Sequence, residues 1–423
     1  MAILFGVFVV TLFLGFPIAF SLGLSSLAYL LFTDIPLVII PQKLHAGMDV
    51  FVLLCVPGFI LAGNLMNRGG ITKRIIGFSK AIVGHIRGGL GLANIGASMI
   101  FSGISGTAVA DSASIGAVMI PAMKKEGYDP EFSCAITASS STIGPIIPPS
   151  LPMIIAGTLT GLSVAKLFIA GAIPGLLLAC GLMTVSYLIS IKKKHPQGLK
   201  STFSYISNEF FSAFWALLMI FIILYGIVGG IFTPTEASIV ASLYAFIIGL
   251  FVYRDLMIKE IPKILVDTMV TTASLMLLVG FANLFGWILI SEQIPQLIAK
   301  SLLDITTNKY LILLIINFLL LFVGTFMETI AALVILFPIL LKVAMVVGID
   351  PIQFAVIAVL NLMIGLTTPP VGVCLFITSS IGKVSLGNVS KAILPFLAVS
   401  IFILLLVTYV PAISLFLPSL LFQ

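Results

Sequence analysis

Charge is what this chain has least of. Of its 423 residues only 9% are Asp, Glu, Lys or Arg, against about 25% in an ordinary soluble domain. So few charges cannot keep a compact fold solvated. That excludes a soluble enzyme, a secreted disulfide scaffold, a disordered regulator and a binder of nucleic acid. Cysteine is scarce as well: Cys55, Cys134, Cys180 and Cys374 stand far apart in apolar runs without Cys-x-x-Cys spacing, so neither a disulfide framework nor a zinc site is expected. His45, His85 and His195 are equally scattered and form no metal-ligand pattern. What is abundant is apolar surface, with 60% of the residues hydrophobic. The expected class is an all-α polytopic membrane protein, because unpaired backbone cannot face lipid and helices pair their own.

A spanning helix needs about 20 apolar residues. Such runs lie near 50–66, 133–160, 167–191, 210–232, 235–253, 264–290, 352–382 and 392–417. The first 32 residues are also apolar, broken at Gly15 and Pro17, and read as one tilted helix or two short ones. No basic leader region or small-residue cleavage site marks a removed signal peptide. Two further stretches, 90–121 and 310–341, are interrupted by Gly, Ser and Thr. Basic blocks at Arg68–Arg87, Lys192–Lys200 and Arg254–Lys263 orient the chain, since Lys and Arg gather in cytoplasmic loops. With 1–32 as two helices and both interrupted stretches re-entrant, only Lys43, Lys166, Lys300, Lys309 and Lys342 fall outside. That arrangement has ten crossings and both termini on the outer face.

The two halves repeat each other at a nearly constant offset. Pro17 precedes Pro234 by 217 positions, and Gly63 stands equally far before Gly280. Gly106-Thr107 returns as Gly324-Thr325, Gly127-x-Asp129-Pro130 as Gly348-x-Asp350-Pro351, and Pro148-Pro149 as Pro369-Pro370. Gly and Pro matter here because they dictate backbone shape. Five crossings and one re-entrant element per half would invert the second half relative to the first. Inverted repeats of this kind are typical of secondary transporters, whose site lies where broken helices meet near the midplane.

The interrupted segments carry the chemistry. Residues 98–116 are crowded with Ser, Gly, Thr and Ala and read as a helical hairpin turning at Ser105-Gly106-Thr107, with a second tip at Val323-Gly324-Thr325. Such a tip presents carbonyls of one half-helix and N–H groups of the next; the first suit an alkali cation and the second an anion. Close packing through small residues is the plainer alternative. Ser139–Ser150, with Pro145, Pro148 and Pro149, and Asn361–Pro370 cannot be continuous helix. Asp111 and Glu328 follow the tips, 217 positions apart, as first-turn residues favoured by the helix dipole or as cation or proton sites. No Lys or Arg lies in either tip or unwound loop, so a bound anion would rely on helix N-termini and co-transported cations. Sodium fits oxygen-only ligands better than a proton does. Residues 67–88, where Ile71, Ile75, Ile76 and Phe78 alternate with basic residues, read as an interfacial helix, with 291–309 as its counterpart. A stand-alone symporter of divalent anions shares this architecture. An intramembrane enzyme would need a nucleophile with a base, and no histidine lies inside a span.

The chain resembles, over essentially its full length, the large membrane subunit of tripartite ATP-independent periplasmic (TRAP) transporters. The resemblance rests on four segments: Ser105-Gly106-Thr107-Ala108-Val109-Ala110-Asp111; Pro145-Ile146-Ile147-Pro148-Pro149-Ser150; Phe232-Thr233-Pro234-Thr235-Glu236-Ala237; and Gly348-Ile349-Asp350-Pro351 continuing to Thr368-Pro369-Pro370-Val371-Gly372. Glu328 stands where the family pattern has aspartate. The resemblance implies a sodium-driven importer of organic acid anions, of the sialic acid or C4-dicarboxylate class, in the bacterial cytoplasmic membrane. It implies no enzymatic activity and no cofactor beyond sodium as coupling ion. Two partners are implied: a small four-helix membrane subunit, expected as a separate polypeptide because this chain opens at Met1, and a periplasmic binding protein.

The resemblance also implies an elevator. Its scaffold would comprise 1–66, 167–290 and 383–423, its arms 67–88 and 291–309, and its transport domain 89–166 and 310–382. By residue it implies cation binding at Ser105, Gly106 and Thr107 with Thr142 and Gly144, and at Gly324 and Thr325 with Gly365, Thr367 and Thr368. Substrate would lie between the tips, near Ser105, Thr107, Ser141, Pro148, Thr325 and Pro369.

Overall fold

Gly15 takes a positive φ of 81° ahead of Pro17, and there the opening apolar stretch parts into two helices, Ala2–Phe13 and Ile18–Phe32, which pack on each other. The ambiguity over residues 1–32 therefore resolves to a helix pair. Its members have 12 and 15 residues, roughly 18 and 22 Å at 1.5 Å per residue, short of a hydrocarbon core of about 30 Å. The computed structural model describes residues 2–198, 202–294, 296–298, 300, 306 and 308–422, apart from the side chains of 102–105. Eight of the 19 residues of the second arm expected at 291–309 lie outside the described residues.

Every described secondary element is helical, apart from one isolated bridge between Arg87 and Gln197. Among the described residues, six helices are long and apolar enough to cross a membrane: Phe51–Arg68, Val164–Lys192, Phe203–Val228, Pro234–Val252, Ile258–Ser291 and Thr329–Val346. The other expected crossings fall on shorter or bent pieces. The run at 392–417 is two helices, Leu394–Tyr409 and Ala412–Leu421, bent by 55° where Pro411 interrupts the ladder. The run at 352–382 breaks after Gly365, and its second piece, Val373–Gly382, turns by 113° into Leu386–Ala392. A helix at Ile39–Met48 was not anticipated.

Local signals account for several helix starts. Thr233 and Glu236 form a reciprocal capping box ahead of Pro234, as the Pro-Thr-Glu order suggests. Gly127 and Gly348 both take positive φ, 89° and 78°. Each is followed by Asp-Pro at the start of a helix, Pro130–Ser141 and Pro351–Gly365. The two aspartates then diverge. Asp350 caps its helix, accepting from the N–H of Ile352 at 2.8 Å, whereas Asp129 accepts from Lys193 Nζ at 2.7 Å and lies 3.4 Å from His195 Nε2.

That ion pair belongs to a clip. His195, only 4% exposed, sits between the rings of Tyr128 and Phe132, with centroids at 4.7 and 4.6 Å, and its Nδ1 lies 3.1 Å from Ser190 Oγ. Backbone bonds from Gly88 to Pro196 and from Gly198 to Gly84 tie the same segment to the first hairpin's entry. Burial holds His195 below its usual pKa, with Asp129 working against that; the hydrogen bond from Lys193 holds Asp129 below the usual carboxylate range.

Packing sorts the helices into two bodies. The first contains the helices of residues 2–68 and 203–291, closely apposed through small residues: a β-carbon at Gly58 would collide with Ser238, and one at Gly47 would stand 2.6 Å from Asn283 Cβ. The second contains 89–192 and 309–421. The stretches expected as scaffold at 167–290 and 383–423 thus do not pack as one group, because Val164–Lys192 lies against the C-terminal pair and the first hairpin. Helix Ile71–Val83 packs between the bodies. Arg74 pairs with Asp255 at 2.5 Å and stacks 3.8 Å over Tyr253, while Lys80 reaches Glu126 at 2.8 Å.

Candidate functional site

The first tip is a turn of two residues. Helix Gly89–Ser105 stops at Gly106, whose φ of 63° is left-handed. A β-carbon there would lie 3.1 Å from Leu151 Cγ. Thr107 is extended and caps the returning helix Ala108–Lys125, accepting from the N–H of Ala110 at 3.3 Å. Asp111 follows in the first turn, fully buried, and Gly144 of the first unwound loop packs directly on its carboxylate. The side chain of Ser105 lies outside the described residues.

The second tip is longer and built differently. Helix Lys309–Gly324 is followed by a turn over 325–328, and Glu328 is the N-cap of Thr329–Val346. Its carboxylate accepts from the N–H groups of Ile330 and Ala331 at 2.8 and 3.2 Å. Glu328 is therefore the cap itself, not a first-turn residue like Asp111. Thr325, matched to Thr107 by sequence, instead closes the descending helix by donating to the carbonyl of Phe322 at 2.7 Å. The two threonines hold opposite sides of their turns.

Each tip leans on an unwound loop. Ser150 restarts the first broken helix, accepting from the N–H of Met153 at 3.2 Å while donating to the carbonyl of Pro145. Both double prolines contain a cis peptide bond, Pro148-Pro149 and Pro369-Pro370. In the second half the contact is backbone on backbone: a β-carbon at Gly365 would stand 2.6 Å from Gly324 Cα. The N–H of Gly372 donates to the carbonyl of Thr325 at 3.0 Å, fastening loop to tip.

The hydroxyls share one habit. Ser141 donates to the carbonyl of Thr137, Thr142 to that of Ser139, and both Thr367 and Thr368 to that of Ile364, all at 2.7–2.8 Å. A hydroxyl that gives its proton to a carbonyl keeps lone pairs for another partner, so these oxygens are suited to a cation. Networks of amides not anticipated from sequence brace them. Asn94 donates to Thr137 at 2.7 Å, and Ser98 to Ser140 at 2.8 Å. Asn361 donates to Asn317 at 2.9 Å, and Asn317 to Thr408 at 3.0 Å. The signal for them is an amide side chain inside an apolar run, where it must find a partner.

Tips and loops from both halves close around one small cavity of about 10 Å³. Thr107, Val109 and Pro145 line it from the first half, and Glu328, Ile330 and Leu366 from the second. Of the residues expected at the substrate whose side chains are described, only Thr107 borders it. Ser141 is buried behind the loop, and Pro148 lines a different groove, described below. Thr325 and Pro369 do not border the cavity. Among the described residues no group of His, Cys, Asp and Glu could hold a metal through three side chains.

Apolar spans, bent re-entrant-like pairs and a pocket made by interrupted helices define a multi-pass transport protein. Comparison with known proteins makes this specific. Residues 5–413 match the family model for the DctM component of the tripartite ATP-independent periplasmic transporter. The chain belongs to this family as a large permease subunit, which is a transport protein and not an enzyme. It is 44% identical over 410 residues to the sialic acid TRAP transporter large permease protein SiaM of Vibrio cholerae, covering 97% of this chain and 96% of that one. It is 42% identical to the isethionate TRAP transporter permease protein DctMQ of Oleidesulfovibrio alaskensis, where 98% of this chain covers 66% of a longer protein. Among solved structures, the Alcanivorax borkumensis YdaH transporter shares the fold, with a TM-score of 0.56 at 15% identity over 90% of this chain and 86% of that one. Substrates differ among the relatives.

Proposed function

We propose that this subunit imports an organic acid anion, of the sialic acid or C4-dicarboxylate class, driven by inward sodium movement. The observation that carries the proposal is the cavity between the tips, where Thr107, Thr329 and Glu328 stand among apolar residues of both halves, with no Lys or Arg in either tip or loop. Cations bind at Gly106, Thr107, Thr142 and Gly144 in one half and at Gly324, Thr325, Gly365, Thr367 and Thr368 in the other, with the anion between them. The Ser105 position belongs to the first set by its place at the tip.

Transport proceeds as an elevator. The hairpin body slides along the other body, with Ile71–Val83 as the arm that joins them. The packing supports redrawing the moving part as 89–192 with 309–421, so that Val164–Lys192 and the C-terminal pair travel with the hairpins. The halves are inverted relative to each other in the bacterial inner membrane, and both termini are periplasmic. A separate small four-helix membrane subunit and a periplasmic binding protein complete the transporter; that DctMQ extends well beyond the matched region supports the former.

The test is uptake of labelled sialic acid or a C4-dicarboxylate into proteoliposomes holding both membrane subunits, with binding protein and sodium gradient varied independently. Uptake is expected to need both. Transport that continues without sodium would remove the coupling, and transport without binding protein would favour a stand-alone symporter.

A further inference from the structure

The two bodies part along one seam and leave a groove of about 670 Å³. One wall comes from the hairpin body: Met99 and Ile100 of the first hairpin, Ile147 and Pro148 of its unwound loop, and Ala172 and Leu176 of the long helix. The other is a face of Phe203–Val228, carrying Leu217, Phe221, Leu224 and Val228. Among the described residues no charged side chain lines the groove, and Tyr225 supplies its one hydroxyl.

We propose that this groove is a binding site for one acyl chain of a membrane phospholipid. Water is a poor occupant, since an ordered water needs two to four polar partners. A partner helix does not fit: about 10 Å across and 16 Å long, it would fill roughly 1,300 Å³. A single chain matches in length. The scaffold wall runs from Leu217 to Val228, about 16 Å of helix at 1.5 Å per residue, which is one leaflet of a hydrocarbon core of about 30 Å. Near one end stands Tyr225, stacked on Phe221 at 5.7 Å, an aromatic suited to the headgroup level. Phe221, Tyr225 and Leu176 are each more than half exposed, so the groove opens to the bilayer.

The position gives the chain a role. It touches Ile147 and Pro148, next to the Thr142–Pro145 segment of the proposed cation site, and it separates the two bodies that the elevator requires to slide. Occupancy itself rests only on membrane placement, so loss of sodium coupling would leave it standing.

The experiment is photolabelling of the complex in proteoliposomes with phosphatidylethanolamine bearing a diazirine in its acyl chain, mapped by mass spectrometry. Peptides containing Met99–Ile100, Ile169–Leu176 and Leu217–Val228 are expected to label severalfold above the exposed face of Val266, Met269 and Val270. Ala172→Trp should fill the groove and reduce that labelling severalfold, leaving the reference face unchanged. Leu217→Phe, introduced from the opposite wall, should do the same and guards against misfolding of the first variant. Groove labelling equal to the reference face, or unmoved by both substitutions, would overturn the proposal.

Discussion

Replacing Gly365 by alanine tests whether tip and loop work as one unit. The added β-carbon would stand 2.6 Å from Gly324 Cα and 2.7 Å from its carbonyl carbon, where carbon atoms normally rest at about 3.5–4.0 Å. Neither glycine takes a positive φ, so alanine suits both backbones and the effect comes from close approach alone. Tip and loop must separate by about 1 Å. Overpacking of this kind costs about 1–3 kcal/mol, and a misplacement of about 1 Å in positioning groups costs on the order of 100-fold in rate. The reverse substitution is milder, since a β-carbon at Gly324 meets Gly365 Cα at 3.0 Å and the Leu362 carbonyl oxygen at 3.2 Å. Gly348→Ala is the control, with open space but a φ of 78°, costing about 1–2 kcal/mol of strain away from the site. Sodium-dependent uptake in proteoliposomes, with thermal unfolding in detergent, separates the three. Gly365→Ala should raise the sodium half-saturation most, Gly324→Ala less, and Gly348→Ala should lower only the unfolding temperature. A Gly365→Ala transporter with wild-type sodium dependence would refute the reasoning.

Glu328→Ala removes the acceptor of two N–H groups, a loss of about 0.5–2 kcal/mol for an N-cap, whereas Glu328→Gln keeps an oxygen in place. Thermal unfolding should rank wild type above Gln and Gln above Ala; an alanine variant as stable as wild type would discard the capping role. The clip around His195 should loosen in acid. Both His195 and Asp129 are held below their usual pKa, so the unfolded chain binds more protons and stability rises with pH. His195's contribution is lost as pH falls through about 6.5 and below, and Asp129's only below about 4. Amide exchange at Gly88 and Gly198, corrected for intrinsic rate, should therefore quicken between pH 7.5 and 5.5, and His195→Gln should flatten the change. Equal protection at both pH values would exclude the clip as a titrating element.

Proline and glycine made much of this molecule readable. Pro148-Pro149 and Pro369-Pro370 forbid helix by missing donors and ring clashes, so the interruptions lay open in the sequence, as did the Gly-x-Asp-Pro starts at Pro130 and Pro351. Partners across space were not readable. Hydropathy says that Val164–Lys192 is apolar but not against which helices it packs, and the bend at Pro411 looks from composition like continuous span. The symmetry of the tips misled in a specific way. Gly106-Thr107 and Gly324-Thr325 align by residue type, yet the first turn has two residues and the second four, so Thr107 caps a returning helix and Thr325 closes a descending one. What does correspond is charge. Asp111 lies in the first turn of one returning helix, and Glu328 caps the other. Each helix N-terminus, the natural seat for a bound anion, thus already faces a carboxylate of its own chain. An incoming organic anion finds a carboxylate already at both returning-helix N-termini and no basic side chain in the tips or loops; the helix restarts at Leu151 and Val373 carry no acidic residue in their first turn. On the proposed reading co-transported cations supply the rest of the charge, which makes the hydroxyl and carbonyl oxygens beside Gly324 and Gly365 the places to look for them.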